Sequence, residues 1–548
     1  MRVDEAAFEA EIVASLVEHG GYEETHAYEF DTEAGLDFAL TLTFIGATQQ
    51  EQWDRLITLH GGQDTAQQAF KQRLVKELDL RGTVDVLRHG VVDHGVTIQL
   101  AYFRPAHGLT PELVVRYERN YLSVTRQLRY GRDSEKSVDL ALFVNGIPVA
   151  TAELKNALTG QTIDDAKEQY RSDRDPNNVT LSRRAVVHFA VDTERVAMTT
   201  RLAGLRTRFL PFDQGHDEHA GNPPNPDGHR SAYLWQRVWQ RDAWLDLLQR
   251  FVHVEKAPRG SRKPPSMIFP RFHQWDAVRK LEAAAKADGA GHDYLVQHSA
   301  GSGKSNTIAW LAHRLSILHG ADDRPVFDKV VVITDRRVLD RQLQDTIYQF
   351  EHAHGLVQKI DVDSAQLSGA LAGAQARIII TTLQKFPIVM SQGVKLPDRR
   401  YAVIVDEAHS SQTGESLKDL KAVLGATEDQ RLEAAERDES TAGQDDPLGE
   451  ALAEAAKDRG KQRNVSFFAF TATPKGRTLE HFGRLNPVTG QVRGVPHLLD
   501  APGHRGEVYP GRARQLCDLS DFLEHREEGR GGPKLRRQEG QRSHCAVR

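Results

Sequence analysis

The chain has 548 residues, too many for one hydrophobic core, and its 39% hydrophobic and 27% charged content suits a soluble protein of at least three domains. No run of eighteen apolar residues occurs, the acidic start "MRVDEAAFEAEIVASL" lacks the basic-then-apolar layout of a secretory signal, and two cysteines, Cys517 and Cys545, make neither a disulfide framework nor a zinc set. A membrane span is not expected and a cytoplasmic setting is; with a net charge of −5, any nucleic-acid contact must come from local basic grooves.

Residues 1–200 read as an α/β domain, with strand-like runs at "LDFALTLTFI", "VTIQLAYF" and "SVDLALFVNG". In "SVDLALFVNGIPVATAELKN" (137–156) two apolar runs flank Asn145-Gly146, a strong short-range hairpin signal. The first run carries Asp139; the second carries Glu153 and Lys155, two apart and so on one face. Two carboxylates and a lysine are what Mg2+-assisted phosphodiester cleavage needs, Asp139 and Glu153 holding the metal and Lys155 stabilising developing charge. Register decides the matter. A strict two-residue turn sets Asp139 opposite Ala152 and turns Glu153 to the other face; one extra residue, as a longer loop or a bulge, sets Asp139 opposite Glu153. The competing reading is a hairpin with charges on its wet face.

Residues 201–266 form a connector: a loop at 215–230, a helical stretch at 233–253 that is apolar on one side, and a basic, Pro-rich linker at 255–266, where a domain boundary is expected. From 267 to 490 the short, nearly all-apolar runs "DYLVQHS", "KVVVITD", "ARIIITT", "YAVIVDEAH" and "SFFAFTATP" alternate with helical stretches. Such runs fit parallel strands buried on both faces, in an open sheet whose ligands sit at the carboxyl ends of the strands.

The first run leads into "HSAGSGKSNT" (298–307). Gly301 and Gly303, with Ser302 between them, let backbone N–H groups close on phosphate, Lys304 can reach the β- and γ-phosphates of ATP, and Ser305 can hold Mg2+; His298 stands where the usual first glycine would be. Asp406 and Glu407 end a later apolar strand, suited to positioning the metal and activating water. Thr471 and Thr473 end another, where plain hydroxyl capping is the alternative. Gln274, about thirty residues before Lys304, can read adenine or be a surface glutamine. Residues 426–463 read as a charged, solvated insertion.

This order resembles superfamily 2 translocases of the DEAH-box kind over roughly 270–485. The resemblance implies a RecA-like first motor lobe that binds ATP and Mg2+, with Asn306 and His409 joining the nucleotide-binding set and Thr382 and Arg336 near nucleic-acid phosphates. With D-x13-E-x-K in front, the chain resembles the motor and nuclease subunit of type I restriction enzymes, whose N-terminal domain (here 1–200) is of the PD-(D/E)xK class. The proline of the class name is absent, since Ser137-Val138 precedes Asp139. The resemblance further implies an acid on the first helix, Glu9 or alternatively Glu11, and a Gln/Tyr element at Gln169 and Tyr170. It implies cleavage of double-stranded DNA coupled to ATP-driven translocation, with methyltransferase and specificity subunits as partners. A repair-type helicase–nuclease and a catalytically silent binding remnant are the other readings.

After "LEHFGRLNPVTG" the resemblance stops. Reading "LLDAPGHRGEVYPGRARQL" from the second base of each codon permits a second-lobe opening like "YSMRQAIEEGFILDVL". A one-base shift between about 489 and 496 is therefore expected, with a Gly/Arg/Glu-rich, disordered segment at 491–548; a genuine tail domain is the rival, and the nucleotide sequence decides. A chain without the second lobe would lack the arginines that meet the γ-phosphate, worth about 10³–10⁵ in rate.

Overall fold

The computed structural model describes residues 5–298, 302–334, 343–348, 356–360, 364–382, 399–406 and 464–471, less 27, 29, 132–134, 217–219, 256–264 and 345, plus two short strands at 484–485 and 492–493. The insertion at 426–463 and the segment from 494 onward lie outside the described residues.

The N-terminal part runs α1 (Glu5–Glu18), β1 (Glu23–Thr25), α2 (Phe38–Thr48), α3 (Gln50–His60), α4 (Gln63–Arg81), α5 (Thr83–His89), the hairpin β2 (Val91–Asp93) and β3 (Val96–Ile98), and α6 (Pro111–Glu118). It continues through β4 (Leu122–Arg129), β5 (Ser137–Val144), β6 (Ile147–Leu154), α7 (Ile163–Ser172), β7 (Val187–Val191), β8 (Val196–Thr199) and β9 (Leu210–Pro211). Seven strands form one mixed sheet in the order β1-β4-β5-β6-β7-β8-β9. Two of the expected strands are corrected. "LDFALTLTFI" is largely the helix α2: the Asp37 side chain caps it by accepting from Leu40 N at 3.0 Å, and Thr41, Phe44 and Ile45 turn inward at helical spacing. "VTIQLAYF" is strand only over Val96–Ile98.

The turn between β5 and β6 places Asn145 at φ 51° and Gly146 at φ 82°, the doubly left-handed turn that Asn-Gly favours. Near the turn Val144 faces Ile147 and Phe143 faces Pro148; the register then shifts, so that Leu142 faces Ala150 and Leu140 faces Ala152. Val149 is the extra residue. Carried one step past the last pair, Leu140 with Ala152, this register sets Asp139 opposite Glu153, the arrangement the metal-site reading requires. A Cβ at Gly146 would lie 2.1 Å from the Asp37 carbonyl oxygen, in a left-handed conformation. Gly146→Ala should therefore destabilise the domain by more than the about 1–2 kcal/mol of left-handed strain alone, read as a lowered urea midpoint.

The connector contributes to the core. Trp235, Trp239 and Trp244 are fully buried while Gln236, Arg237 and Asp242 are exposed, so the stretch buries one apolar side. It passes through α8 (Arg241–Asp246) to β10 (His253–Glu255), which pairs antiparallel with β11 (Ser266–Ile268). The Trp310 indole N–H donates to the Phe251 carbonyl at 2.8 Å, and Arg314 is clamped by Asp246 and Glu282, tying the connector to the second sheet region.

That region opens with α9 (Phe272–Asp288), β12 (Asp293–Gln297), α10 (Lys304–Ser316), β13 (Lys329–Thr334) and β14 (Val357–Lys359), and continues with β15 (Ile378–Thr382), β16 (Tyr401–Val405) and β17 (Val465–Thr471). The six strands are all parallel, in the order β12-β17-β16-β13-β15-β14. Val330 to Val332, Ile378 to Ile380 and Tyr401 to Ile404 are fully buried, as continuous apolar runs in a doubly covered sheet must be. The fold is α/β, a PD-(D/E)xK-type mixed sheet followed by a RecA-like parallel sheet.

Candidate functional site

Two clusters arise, one on each sheet. On the first, strand alternation and the bulge bring Asp139 and Glu153 together, with Lys155 just past the end of β6; all three are more than nine-tenths buried. The Asp139 carboxylate accepts from Leu154 N at 2.7 Å, which pins it across the two strands. Lys155 Nζ donates to Glu5 at 3.1 Å and to the Leu154 carbonyl at 2.8 Å. From α1, Glu9 is buried and accepts from Arg126 at 2.5 Å and from Gln127 at 2.8 Å. Glu11 is half-exposed and lies 3.3 Å from His229, so of the two candidate acids it is Glu9 that reaches the cluster.

Three further residues join the cluster without a clear sequence signal. Gln127 interrupts β4 with φ 48°, and its amide N–H group bridges Glu9 and Asp139, the latter at 3.3 Å. Nothing in "VTRQLR" announces a left-handed glutamine in a strand. Arg174 grips Glu153 through two bonds of 2.6 and 3.0 Å, with Glu153 fully buried. Arg174 lies just past the Asp173 cap of α7, so helical spacing from Tyr170 does not announce it. Glu5, one turn before Glu9, completes the lysine's partners. Burial above all pushes the Glu153 carboxyl up to about 8, against the pull of Arg174, and the neighbouring Asp139 charge adds to the rise.

Tyr170 is fully buried, with its hydroxyl 2.7 Å from Thr151 Oγ1, on the strand that carries Glu153. Burial, then the Glu153 charge, raises its phenol well above the ordinary value. Gln169 is half-buried, with a buried Oε1 that meets no partner among the described residues.

On the second sheet, the phosphate-loop residues Ser302 and Gly303 precede α10, and Gly303 has φ 83°. A Cβ there would stand 2.5 Å from Gln274 Nε2, so only glycine fits. Gln274 is buried beneath the loop, not on the surface: it donates to the Ser302 and Gly303 carbonyls at 3.3 and 3.0 Å and accepts from Arg271 N. His273 also meets the Ser302 carbonyl, at 3.2 Å. With these carbonyls drawn toward α9, the N–H groups that follow them face the opposite way, since a trans peptide sets C=O and N–H antiparallel. His298, at the place of the missing glycine, is 1% exposed and braces the loop from beneath, Nδ1 lying 3.1 Å from Ser302 Oγ. Burial, helped by His273 and Lys304, pushes its pKa down to about 3, so it stays neutral there.

Lys304 Nζ lies 3.2 Å from Asp406 Oδ1, joining the helix after β12 to the end of β16. Ser305 and Asn306 sit half-buried in the first turn of α10, and Thr382 is half-buried at the end of β15. Thr471 closes β17 in the backbone. Gly301, Arg336, Glu407, His409 and Thr473 lie outside the described residues.

Comparison with known proteins finds two family models along the chain. Residues 3–207 match the family model of the type I restriction enzyme R protein N terminus, and residues 273–485 match that of the SWI2/SNF2 ATPase. Its N-terminal stretch thus resembles the R protein of type I restriction enzymes. Its relatives include the type I restriction enzyme SauCOLORF180P endonuclease subunit of Staphylococcus aureus strain COL, 25% identical over 55% of this chain and 30% of the relative. The HindI endonuclease subunit of Haemophilus influenzae is 26% identical over 53% of this chain and 28% of the relative. The chain thus spans about 30% of the length of these relatives. Among solved structures, the UvsW helicase of bacteriophage T4 is similar over 41% of this chain and 57% of its own, at TM-score 0.22 and 14% identity, too slight a likeness to bear weight. No helix among the described residues is long and apolar enough to cross a membrane.

Proposed function

We propose that this chain couples ATP-driven translocation on double-stranded DNA to Mg2+-dependent cleavage of both strands, in a cytoplasmic assembly with methyltransferase and specificity subunits. The observation that carries the nuclease half is the bulge that sets Asp139 opposite Glu153, with Lys155 beside them, all buried in one cluster. The donor set is oxygen-only, three buried carboxylates from Glu9, Asp139 and Glu153, which suits a hard cation such as Mg2+. The Gln127 amide supports this fit, since its N–H group is the partial positive charge between Glu9 and Asp139. Asp139 and Glu153 would hold the ion, which when bound polarises a phosphoryl oxygen. Arg174 keeps Glu153 aimed, and a carboxylate gripped at two lone pairs retains two more for other partners. Lys155, tethered by Glu5 and a backbone carbonyl, carries the positive charge suited to stabilising an oxyanion at the scissile phosphate.

For the motor half, the paired Lys304 and Asp406 are the two groups a Mg2+·nucleotide would separate, the lysine turning to phosphate and the carboxylate to the metal side. Ser305 would join the metal side, Gly301, Ser302, Gly303 and Asn306 the phosphate side, and Glu407 would activate water. Lys304→Ala should weaken binding of a fluorescent ATP analogue by tenfold or more and leave metal-dependent nicking intact. Equal nucleotide affinity in variant and parent would sink the P-loop reading. The test of the whole is cleavage and ATP hydrolysis by the chain reconstituted with methyltransferase and specificity subunits on DNA with and without their recognition site. Activity independent of those subunits would favour a repair-type helicase–nuclease.

A further inference from the structure

The C-terminus of α3 and the β2–β3 hairpin bring a second set of ligating side chains together, away from both clusters. His60 is the last residue of α3, while Asp93 and His94 enter the hairpin turn. His60 Nε2 lies 2.9 Å from Asp93 Oδ2, and His94 Nδ1 lies 3.0 Å from Asp93 Oδ1. The two imidazoles stand nearly perpendicular, at 82°, with centroids 4.6 Å apart, so they do not stack. Among the described residues this is the one place where three such donors all lie within 4.8 Å of one another. His60 and Asp93 are close to nine-tenths buried, and His94 is half-exposed, which leaves one side open to solvent.

The turn itself is unusual. His94 takes φ 46° and Gly95 φ 77°, the left-handed pair in which Asn or Gly ordinarily stands first. The chain spends turn stability to present an imidazole at that position.

We propose that His60, Asp93 and His94 form a binding site for a transition-metal ion of the zinc class, which latches α3 to the hairpin. The donor chemistry selects the ion: two imidazole nitrogens and one carboxylate suit Zn2+, Co2+ or Ni2+ and disfavour Mg2+, which prefers oxygen alone. Distances agree. Ligand bonds of about 2.0–2.1 Å in a tetrahedron put donor atoms roughly 3.4 Å apart. The two histidine–aspartate separations, which run to different oxygens of the Asp93 carboxylate, lie just under that value, and the remaining pair is within 4.8 Å, so side-chain shifts of about an ångström would seat the ion. Solvent on the open side would supply the fourth ligand. The competing account is a carboxylate that merely hydrogen-bonds two histidines.

The latch would have a readable consequence. Directly after β3, Gln99 exchanges two hydrogen bonds with Gln49 at the start of α3, and the Leu100 carbonyl accepts from the Asn145 amide in the β5–β6 turn at 2.8 Å. An ion at His60 would thus stiffen a segment bonded to the hairpin that carries Asp139 and Glu153.

The test is Co2+ titration of the full chain, followed by visible absorption, in excess Mg2+ to occupy the carboxylate cluster. The parent should take up one equivalent with a tetrahedral ligand-field band. His60→Ala and His94→Ala should each weaken that uptake at least tenfold, while His89→Ala, which removes an exposed histidine paired only with Asp85, should not. His94→Gly relieves the left-handed strain and supplies the folding control: its melting temperature should equal or exceed the parent's in chelator and fall below it in saturating Zn2+. Uptake unchanged by the His60 and His94 substitutions, no uptake by the parent, or no crossing of the melting temperatures would overturn the site.

Discussion

Asp139→Ala is expected to reduce Mg2+-dependent DNA cleavage by the assembled enzyme about 10³-fold or more, while leaving ATP hydrolysis in place. Asp139 is the one carboxylate that spans the hairpin: it accepts from Leu154 N, shares the Gln127 amide with Glu9, and faces Glu153 across the bulge. Its removal deletes a metal-binding group and releases β6 from β5 where Glu153 and Lys155 are aimed. Conversion of supercoiled plasmid to nicked and linear forms reads the loss, and phosphate release reads the motor separately. Cleavage within a few-fold of the parent would mean that the buried carboxylates serve folding alone.

Arg174→Met should have the largest effect on stability. Glu153 is fully buried and held by two charge-assisted bonds, and breaking one side of such a pair costs about 3–5 kcal/mol because the other is left uncompensated. The deficit should depend on pH. Burial first, and the Asp139 charge after Arg174's opposing pull, already raise the Glu153 carboxyl to about 8, and loss of Arg174 raises it further. A carboxyl whose folded pKa lies above its unfolded value binds more protons in the folded state, so its contribution falls as pH rises between the two. The deficit should therefore stay nearly constant between about pH 5 and 7, where the folded carboxyl is protonated in both proteins, and widen from about pH 8 upward, where the parent's ionises and the variant's does not. Adding Glu153→Gln should restore much of the loss, since no charge then remains to be buried. Urea midpoints across that range check all three; a pH-independent deficit would show that Arg174 acts through packing.

Much of the motor region is legible in the sequence. An all-apolar run such as "VVVIT" has one stable home, a parallel strand covered on both faces, and Lys304 and Asp406 follow such runs at the strand ends where ligands gather. The Asn-Gly hairpin is equally plain, because few dipeptides accept two left-handed residues. Helix α2 reads as a strand in sequence because "LDFALTLTF" alternates over a few residues while also matching helical spacing; the Asp37 cap decides between them, and its bond exists only once the helix forms.

By itself, the sequence determined which residues share a face within a strand or a helix, because those periods are built into the backbone. The three-dimensional fold alone decided what meets across elements. Val149 bulges and thereby sets Asp139 against Glu153; Glu9 rather than Glu11 points inward from α1; Gln127 twists into a left-handed conformation beneath both acids; and Arg174 and Glu5 arrive from outside the strands. Pairing register and helix rotation depend on contacts among distant segments, and a single extra residue reverses a face, so no local pattern can carry that information.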